Sequence, residues 1–454
     1  WLKVFVAFPH PGHLRFPALT SASPPLSATM RGLRFGALLL AAGTWAGAGG
    51  QCLDEAGAAV DWWLLLKHPA TFGGDGSGTQ YVYVTSSDTS SLKPGEGKVT
   101  DADSLLGRQI EGVYSGRDVN YVMYNDQTPD GNYSLEYGHS KGFFAYNSTN
   151  GYWVQHSIPH FPNYQSKGYL YGSGQERYGQ HAFCMTMSPE AINEVAEVMR
   201  FSNGWIYDHR TDGSLPNVED IVTGKNIDMK GTIHKDVQTA WGVVKLFGKT
   251  ENFDSGMVPE LIAPELKQTM LVQSWLNSGG PLGPYCPASQ FDVFDIRKVA
   301  LGAGDTHETR YDHSKWTVAK SPDSNWFCGV DNNHVRSQNT RSGLAACVQH
   351  PALSGLMRDA AASADSSCQA PAPGPSPPPG PRPSPAPPGP PSPAKSCCLY
   401  HDAAGACSAG ETCCSGSHKS YQTEKSCARY GAKHKCVWTG GQCVVGNSGE
   451  SFII

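Results

Sequence analysis

The chain has 454 residues, of which 39% are hydrophobic and only 17% are charged, and it is rich in Gly, Tyr and Trp. This length allows two or three domains, and the composition is typical of a β-rich or mixed extracellular protein, which argues against a helical cytosolic one. The formal net charge of −5 at pH 7 does not favour a polyanion as partner at neutral pH. The 16 His residues, however, would make the protein cationic below pH 6.

Residues 30–48 have the pattern of a secretory signal peptide. Met30 is followed by Arg31 and Arg34, then by an apolar run over residues 35–42, and then by small residues that end at Ala48. A basic, an apolar and a small-residue region in that order form a cleavable export signal. We interpret residues 1–29 as a non-native segment upstream of it. The apolar run is too short to span a membrane, and we expect no span later in the chain.

Short runs of β-branched and aromatic residues, separated by Gly and Asp turns, predict strands at residues 60–66, 81–85, 121–124, 142–146 and 152–155. A helix is predicted to begin with Ser188 as N-cap and Pro189 at its first position. Its apolar stripe is expected to face the core and comprises Ile192, Val195, Val198 and Met199. A second helix is predicted over residues 236–246. Alternating strands and helices predict a mixed α/β domain.

The triplet His-Ser-Lys occurs twice, from His139 to Lys141 and from His313 to Lys315. On an extended strand, residues i and i+2 point to the same face, so each triplet would present an imidazole beside an ammonium group. Two such pairs brought together could cleave a phosphodiester with no metal ion and no cofactor. The spacing alone fits polar residues at exposed strand ends equally well.

The 14 Cys residues indicate an oxidising compartment. Both parts of the chain hold an even number, as complete disulfide pairing requires. Six lie in the main domain (Cys52, Cys184, Cys286, Cys328, Cys347, Cys368) and eight in the tail (Cys397, Cys398, Cys407, Cys413, Cys414, Cys427, Cys436, Cys443). The six are too scattered for a zinc site. Sequons at Asn132 and Asn147 are compatible with glycosylation.

A Pro-rich stretch over residues 370–394 divides the chain. It predicts a stiff polyproline II spacer of roughly 75 Å between the main domain, residues 49–369, and a Cys-rich module, residues 395–454. The module is too small for a large apolar core, so disulfides are expected to stabilise it. Its eight Cys allow 105 pairings, and the sequence does not choose among them.

From about residue 52 to residue 368 the chain resembles the deoxyribonuclease II family of acid endonucleases. Several motifs that fall in the same order carry the resemblance: Val60-Asp61-Trp62-Trp63, Tyr124-Asn125-Asp126-Gln127, His139-Ser140-Lys141-Gly142, Trp153-Val154-Gln155-His156-Ser157-Ile158-Pro159 with Phe161-Pro162, Asp312-His313-Ser314-Lys315-Trp316, and Trp326 to Cys328. The Pro-rich linker and the Cys-rich module lie outside it.

The resemblance implies a phospholipase D-like fold of two pseudo-symmetric halves, about 52–200 and 201–368, each of which contributes one triplet to a central site. It implies that His139, Lys141, His313 and Lys315 are catalytic and that DNA is cleaved at acid pH without metal, leaving 3′-phosphate and 5′-hydroxyl ends. It also implies the disulfides Cys52–Cys184, Cys286–Cys368 and Cys328–Cys347.

Several other positions either match the family or depart from the pattern expected at that place. His156, Asp331 and Asn333 fall where substrate-binding or supporting residues are expected. Tyr146 occupies the place of the Asp that follows the triplet in the lipid enzymes, which argues against a lipid substrate. His334 stands where an Arg is common, and this departure affects the phosphate contacts expected there.

The residues fit a two-step reaction in which one imidazole attacks phosphorus and the other protonates the leaving oxygen. The sequence does not assign these two roles. The competing hypotheses are a phosphodiesterase of the same architecture with another substrate and a secreted protein that binds without catalysis. The expected location is the secretory pathway, ending in a lysosome, a vacuole or outside the cell. The expected partner is DNA, and the Cys-rich module is either a polysaccharide- or cell-wall-binding anchor or a protease-resistant appendage.

Overall fold

The computed structural model describes residues 50–368, apart from residues 73–74, 119, 225–228, 278, 288–290 and 303, together with two strands near the C-terminus. The predicted signal peptide, the Pro-rich spacer and most of the Cys-rich module therefore lie outside the described residues. Residues 371–454 form a separate unit. In it, the strands Cys436–Thr439 and Gln442–Val445 form an antiparallel hairpin.

The first large sheet has eight antiparallel strands. A short pair, β1 (Cys52–Leu53) and β2 (Ala59–Val60), precedes it, and its strands are β3 (Trp62–Lys67), β4 (Tyr81–Thr85), β5 (Asp88–Pro94), β6 (Asn120–Asn125), β7 (Lys141–Tyr146), β8 (Gly151–His156), β9 (Gln180–Met187) and β10 (Ile206–Arg210). They lie in the order β10-β6-β7-β8-β9-β3-β4-β5. The helices of this part are α1 (Leu105–Tyr114), α2 (Pro189–Ser202) and α3 (Pro216–Val222).

The second large sheet has nine strands and holds most of the rest of the main domain. They are β11 (Thr232–Thr239), β12 (Gly242–Lys249), β13 (Met270–Gln273), β14 (Val293–Gly302), β15 (Asp305–Glu308), β16 (Trp316–Ala319), β17 (Trp326–Val330), β18 (Gly343–Gln349) and β19 (Ser363–Ala364). Their order is β11-β12-β18-β17-β16-β13-β14-β15, with β19 beside β14, and only β13 and β14 run parallel. The helices here are α4 (Ala263–Leu266), which continues a π-helical turn over Val258–Ile262, and α5 (Pro351–Ala360).

The two sheets contain the same arrangement twice. In the first, β6, β7, β8 and β9 lie side by side and α2 follows β9; in the second, β13, β16, β17 and β18 do so and α5 follows β18. The structure is thus the mixed α/β fold expected from the sequence, and each copy has one His-Ser-Lys triplet at the start of its second strand. The first sheet extends to Arg210, beyond the division expected near residue 200.

A shared apolar core lies between the two sheets. Along β3, Trp62 and Leu64 pack into this shared core, whereas Trp63 and Leu65 pack into a second cluster on the other face of the sheet with α1. The shared core includes side chains from both sheets and from α2 and α5. A third cluster, with α4, covers the other face of the second sheet. Central strands buried on both faces give the site a rigid support.

The predicted helix over residues 236–246 is wrong, because this segment is a hairpin. Strand β11 pairs with β12 and Thr239 lies opposite Gly242, so only two residues connect the strands. Gly242 has a φ of 145°, which a residue with a side chain rarely adopts. Val237 and Val244 are buried while Val243 is exposed. That alternation has the period of a strand and not that of a helix.

The five predicted strands and the first predicted helix are present. The Ser188 hydroxyl accepts a hydrogen bond from the Ala191 backbone N–H at 3.2 Å, and Pro189 occupies the first helical position. All four residues of the predicted stripe lie in the shared core. Among the described residues, no helix is long and apolar enough to cross a bilayer.

The three disulfides implied by the family resemblance are present. Cys52–Cys184 joins β1 to β9, and Cys328–Cys347 joins the neighbouring strands β17 and β18. Cys286–Cys368 fixes the end of the main domain to the loop before β14. These bonds fit a protein that folds in an oxidising compartment.

Candidate active site

Each triplet lies at the start of a central strand, and each is held by the opposite half of the domain. His139 precedes β7, and its backbone N–H donates to the carbonyl oxygen of Ser342 at 3.0 Å. His313 precedes β16, and its N–H donates to the carbonyl oxygen of Gly179 at 2.9 Å. This reciprocal bonding fixes the two triplets relative to each other.

The two triplet lysines are buried. Lys141 forms an ion pair with Asp126, and the ammonium group of Lys315 donates to the carbonyl oxygen of His313 at 3.3 Å. Burial lowers the pKa of Lys141, and it lowers that of Lys315 to about 7. Loss of water makes each charge costly, so both ammonium groups are poised to gain from a nearby anion.

The imidazole of His313 lies between two aromatic side chains. Its ring stacks on Tyr178 with centroids 4.2 Å apart and an interplanar angle of 9°, and Trp275 meets it edge-on at 3.9 Å. Burial, followed by the charge of Lys315, lowers the pKa of His313 to about 3. Among the described residues, its Nε2 atom is buried and has no hydrogen-bond partner.

The pKa of His139 is affected by charged groups from both triplets. Burial lowers the pKa of His139 well below its usual range, and the charges of Lys141, Lys315, Arg341 and His313 lower it further. Charges act at this strength only over short distances. Charged groups from both halves of the domain therefore act on the His139 ring.

Asp331, one of the expected pocket residues, joins the two halves. Its carboxylate accepts a hydrogen bond from the Gln155 amide of β8 at 3.0 Å and another from the Leu344 backbone N–H at 3.0 Å. Burial raises the pKa of Asp331 to about 6, although Lys141 and Lys315 oppose the rise. The charge of this carboxyl thus changes over the mildly acidic range.

Asn333 and His334 support the wall beside His313. The Asn333 side-chain oxygen accepts a hydrogen bond at 3.3 Å from the backbone N–H of Trp275, the residue whose ring meets His313. His334 is buried, and its Nδ1 atom lies 2.7 Å from a carboxylate oxygen of Asp295. The place where an Arg is common is therefore occupied by a histidine paired with an acid.

His156 is buried at the end of β8 and lies near the site. Its Nδ1 atom accepts a hydrogen bond from the Ile158 backbone N–H at 3.2 Å, and its ring packs edge-on against Phe161. Burial lowers its pKa well below the usual range, and the charge of Lys141 lowers it further. A neutral, packed imidazole fits a supporting role better than a role in proton transfer.

An ion-pair cluster formed by Asp126 and Arg341 beside Lys141 was not predicted from the sequence. One Arg341 nitrogen donates to the Asp126 carboxylate at 2.6 Å, and the same carboxylate pairs with Lys141. Arg341 also donates to the carbonyl oxygens of Ser134 and Tyr137, each at 3.2 Å, in the loop that leads to His139. Asp126 lies inside a recognised motif and could have been selected, but no local pattern distinguishes Arg341.

Both sequons lie in loops. Asn132 is exposed, and its side chain donates to Asp130 at 2.8 Å. Asn147 lies in the turn between β7 and β8, where its side-chain oxygen accepts from the Thr149 backbone N–H at 2.9 Å. Both positions are compatible with a glycan.

Among the described residues, one group of potential metal ligands lies close together, namely Cys286, Asp292 and Cys368. Both sulfur atoms, however, form the Cys286–Cys368 disulfide. A disulfide offers no thiolate, so this group does not fit a metal ion.

The fold and the site define a class of protein: a mixed α/β enzyme with an internal repeat, in which each half holds one His-Ser-Lys triplet with a buried lysine and is hydrogen-bonded to the triplet of the other half. Such a site has the groups needed to bind an anionic phosphodiester and to transfer protons during its cleavage.

The sequence profile of the deoxyribonuclease II family matches residues 51–367. The chain belongs to the deoxyribonuclease II family and is therefore a DNA-degrading nuclease. It is 29% identical over 313 residues to cell-death-related nuclease 7 of Caenorhabditis elegans, covering 66% of this chain and 83% of that protein. It is also 29% identical to deoxyribonuclease-2-alpha of Bos taurus, covering 69% and 89%, and 27% identical to plancitoxin-1 of Acanthaster planci, covering 66% and 87%.

Proposed function

We propose that the protein is an acid endonuclease that hydrolyses DNA phosphodiester bonds without a metal ion, with His139, Lys141, His313 and Lys315 as its catalytic residues. The observation that supports this most directly is the reciprocal bonding of the two triplets, in which the backbone N–H of His139 donates to Ser342 and that of His313 donates to Gly179, each in the opposite half of the domain. Two imidazoles can share nucleophilic attack and proton donation, and the cations can balance the charge on phosphate.

The reaction proceeds in two steps. One imidazole attacks phosphorus and forms a nitrogen–phosphorus bond, while the other imidazole, protonated beforehand, gives its proton to the departing 5′-oxygen. Water then attacks the phosphohistidine, the second imidazole takes up a proton from that water, and the nitrogen–phosphorus bond breaks. The phosphate stays on the 3′ side and the other end carries a 5′-hydroxyl group.

The lysines and Arg341 stabilise the negative charge that develops on the non-bridging oxygens. Asp126 holds Lys141 and Arg341 through its two carboxylate oxygens. Prearranged cations in a site shielded from water stabilise a transition state without the cost of reorganising solvent. Asp331, Asn333 and His156 support the surrounding backbone and side chains through their hydrogen bonds.

An acidic optimum follows from the depressed pKa values. The proton donor must be charged, and the pKa of His313 is about 3 while that of His139 is also well below its usual range. A bound phosphodiester adds a negative charge that raises both values, so the donor becomes protonated in mild acid. Lys315, with a pKa of about 7, is also fully charged only below neutrality.

The remaining proposals concern location and the Cys-rich module. Three disulfides and two surface sequons support a secretory-pathway protein that reaches a lysosome, a vacuole or the extracellular space. Polysaccharide or cell-wall binding by residues 395–454 stays a proposal based on the order of the modules along the chain.

The test is nicking of plasmid DNA by the purified protein from pH 4 to pH 8 in the presence of EDTA. We expect nicking near pH 5, and a loss of at least roughly 100-fold in the variants His139→Ala and His313→Ala. His234→Ala serves as control, since His234 is exposed on β11. Absence of nicking by the wild-type protein in EDTA, or near-normal nicking by either variant, would contradict the proposal.

A further inference from the structure

Next to the second triplet lies a buried chain of four acid–base side chains. His307 of β15 is central: its Nδ1 atom lies 3.1 Å from one Asp305 oxygen, and its Nε2 atom lies 3.0 Å from one Asp312 oxygen. The other Asp305 oxygen pairs with His68, which follows β3 of the first sheet. All four side chains are buried.

The chain ends at the backbone of the triplet itself. Asp312 immediately precedes His313, and its second oxygen accepts a hydrogen bond from the Ser314 backbone N–H at 2.7 Å. Gly179 is packed against Asp312 so closely that an added Cβ atom would lie 2.5 Å from that oxygen. The carboxylate of Asp312 therefore has almost no freedom to move unless the triplet moves with it.

The geometry specifies the charge state of His307. Both ring nitrogens face carboxylate oxygens, and carboxylates only accept hydrogen bonds. A neutral imidazole carries one N–H, so both contacts are satisfied only by the doubly protonated imidazolium. The inner chain is thus an imidazolium held between two carboxylates.

The Asp312 carboxylate is near three further titratable side chains, Lys67, His181 and His313. Lys67 lies near Asp312 and Glu176, and its ammonium group donates to backbone carbonyl oxygens, including that of Gly78 at 2.7 Å. Phe72 covers the His307 ring at a centroid distance of 5.9 Å. Among the described residues, Asp305 and Asp312 are the charged side chains that contact the His307 ring.

The pKa values of His307 and Asp305 agree with this charge state. Burial alone would lower the pKa of His307, but the hydrogen bonds to Asp305 and Asp312 outweigh it and raise the pKa to about 9. The same contacts lower the pKa of Asp305 to about 2, against the effect of burial. The ion pairs therefore persist across the whole acidic range in which the enzyme is expected to work.

We infer that His307 is a positioning residue: as an imidazolium between Asp305 and Asp312, it holds the second triplet in its catalytic geometry. This inference rests on the proposed catalytic role of His313. His307 does not touch the reacting atoms and acts through Asp312, which anchors the backbone on either side of His313. His68 extends the same support to the first sheet, so the chain also links the two halves.

The test compares His307→Gln with the wild-type protein at pH 5. Gln has similar length but donates from only one end of its amide, so one carboxylate loses its partner. We expect kcat to fall by roughly 10- to 100-fold with KM changed less than about 3-fold, because misplacement of a catalytic group affects the chemical step. His209→Gln, at an exposed position, is the matched control.

The pH dependence of the melting temperature is a second test of the imidazolium. The raised pKa of His307 means that its stabilisation is complete below the unfolded-state pKa of about 6.5 and is lost as the pH rises through about 9. The difference in melting temperature between wild type and His307→Gln should therefore be largest below pH 6.5 and shrink toward pH 9. A difference independent of pH would contradict the imidazolium assignment.

A third variant covers the case in which His307→Gln does not fold. Asp305→Asn keeps the shape of the acid but removes its charge, and we expect a folded protein, by circular dichroism, with a similar fall in kcat. A folded variant of either kind with wild-type kcat would overturn the inference. If instead His313→Ala retains activity, the proposed catalytic role of His313 itself has failed, and the two failures are distinguished.

Discussion

At the residue scale, the site depends on charged groups that are kept away from water. Lys141 and Lys315 are both buried, and a single carboxylate, Asp126, pairs directly with one of them. Such lysines have depressed pKa values and lose little hydration when a phosphate arrives, because they have already lost it on folding. Their effect on a bound phosphodiester is therefore larger than that of surface lysines.

Replacement of Lys315 by Met should lower kcat at pH 5 by roughly 100-fold, since one cation that stabilises the transition state is removed. Lys320→Met is the matched control, because Lys320 follows β16 and is exposed. Initial nicking rates of the two variants, each checked for folding, measure the difference. Equal rates for both variants would mean that Lys315 has no catalytic role.

Replacement of Arg341 by Met should raise the pKa of His139. The Arg341 charge is one of those that lower it, and its removal makes protonation of the imidazole less costly. Titration of the His139 ring by NMR gives the shift directly. Arg336→Met, on the exposed surface, should leave the titration unchanged. A downward shift in the Arg341 variant would contradict the electrostatic account.

At the element scale, the central strands place the triplets and the helices support the core. Strands β7 and β16 are buried along their whole length, and α2 packs from the first copy of the repeat against strands of the second sheet. The helix begins at a capped N-terminus, and its apolar face lies in the shared core. The stability of α2 thus contributes to the packing of the two sheets against each other.

Substitution of Ser188 by Ala should lower the free energy of unfolding by about 1 kcal/mol, since the Ala191 backbone N–H loses its hydrogen-bond acceptor. Urea titration monitored by circular dichroism measures this change. Ser166→Ala is the control, at an exposed position outside the long helices. A loss no greater than that of the control would show that the cap does not stabilise α2.

At the scale of the whole molecule, the main domain ends before the Pro-rich stretch. Residues up to 370 form one compact unit, and residues 371–454 form another. The disulfide Cys286–Cys368 closes the first unit at its C-terminal end. All residues proposed to act on DNA lie in that first unit.

A protein that ends at Ala370 should therefore cleave plasmid DNA with a kcat within about 2-fold of the full chain. The measurement is the rate of nicking by both proteins at pH 5, with binding to insoluble polysaccharide assayed in parallel. Loss of polysaccharide binding with unchanged nicking would support the proposed anchor. A large loss of nicking would show that the Cys-rich module takes part in catalysis.

Much of the fold was predictable from local patterns. Runs of β-branched and aromatic residues between turn residues, and the Ser188-Pro189 start, located five strands and α2, because strand preference and helix capping depend on residue type. The segment 236–246 was predicted as a helix, whereas it contains the end of β11, a two-residue turn and the start of β12. The pairing of these two strands with each other, and of β12 with β18, excludes the helix.

The sequence by itself determined the repeated triplet and the resemblance to the family, which in turn implied the disulfide pairs, because motifs depend on residue identity and order. The tertiary structure decided the surroundings of the triplets: Arg341 beside Asp126, Tyr178 against His313, and His307 between two carboxylates. Arg341 and Tyr178 are distant in the chain from their partners, and strand order and sheet packing bring them together. Asp305 and Asp312 lie only two and five residues from His307, but the fold decides that all three side chains are buried in contact, and this contact sets the charge of the imidazole.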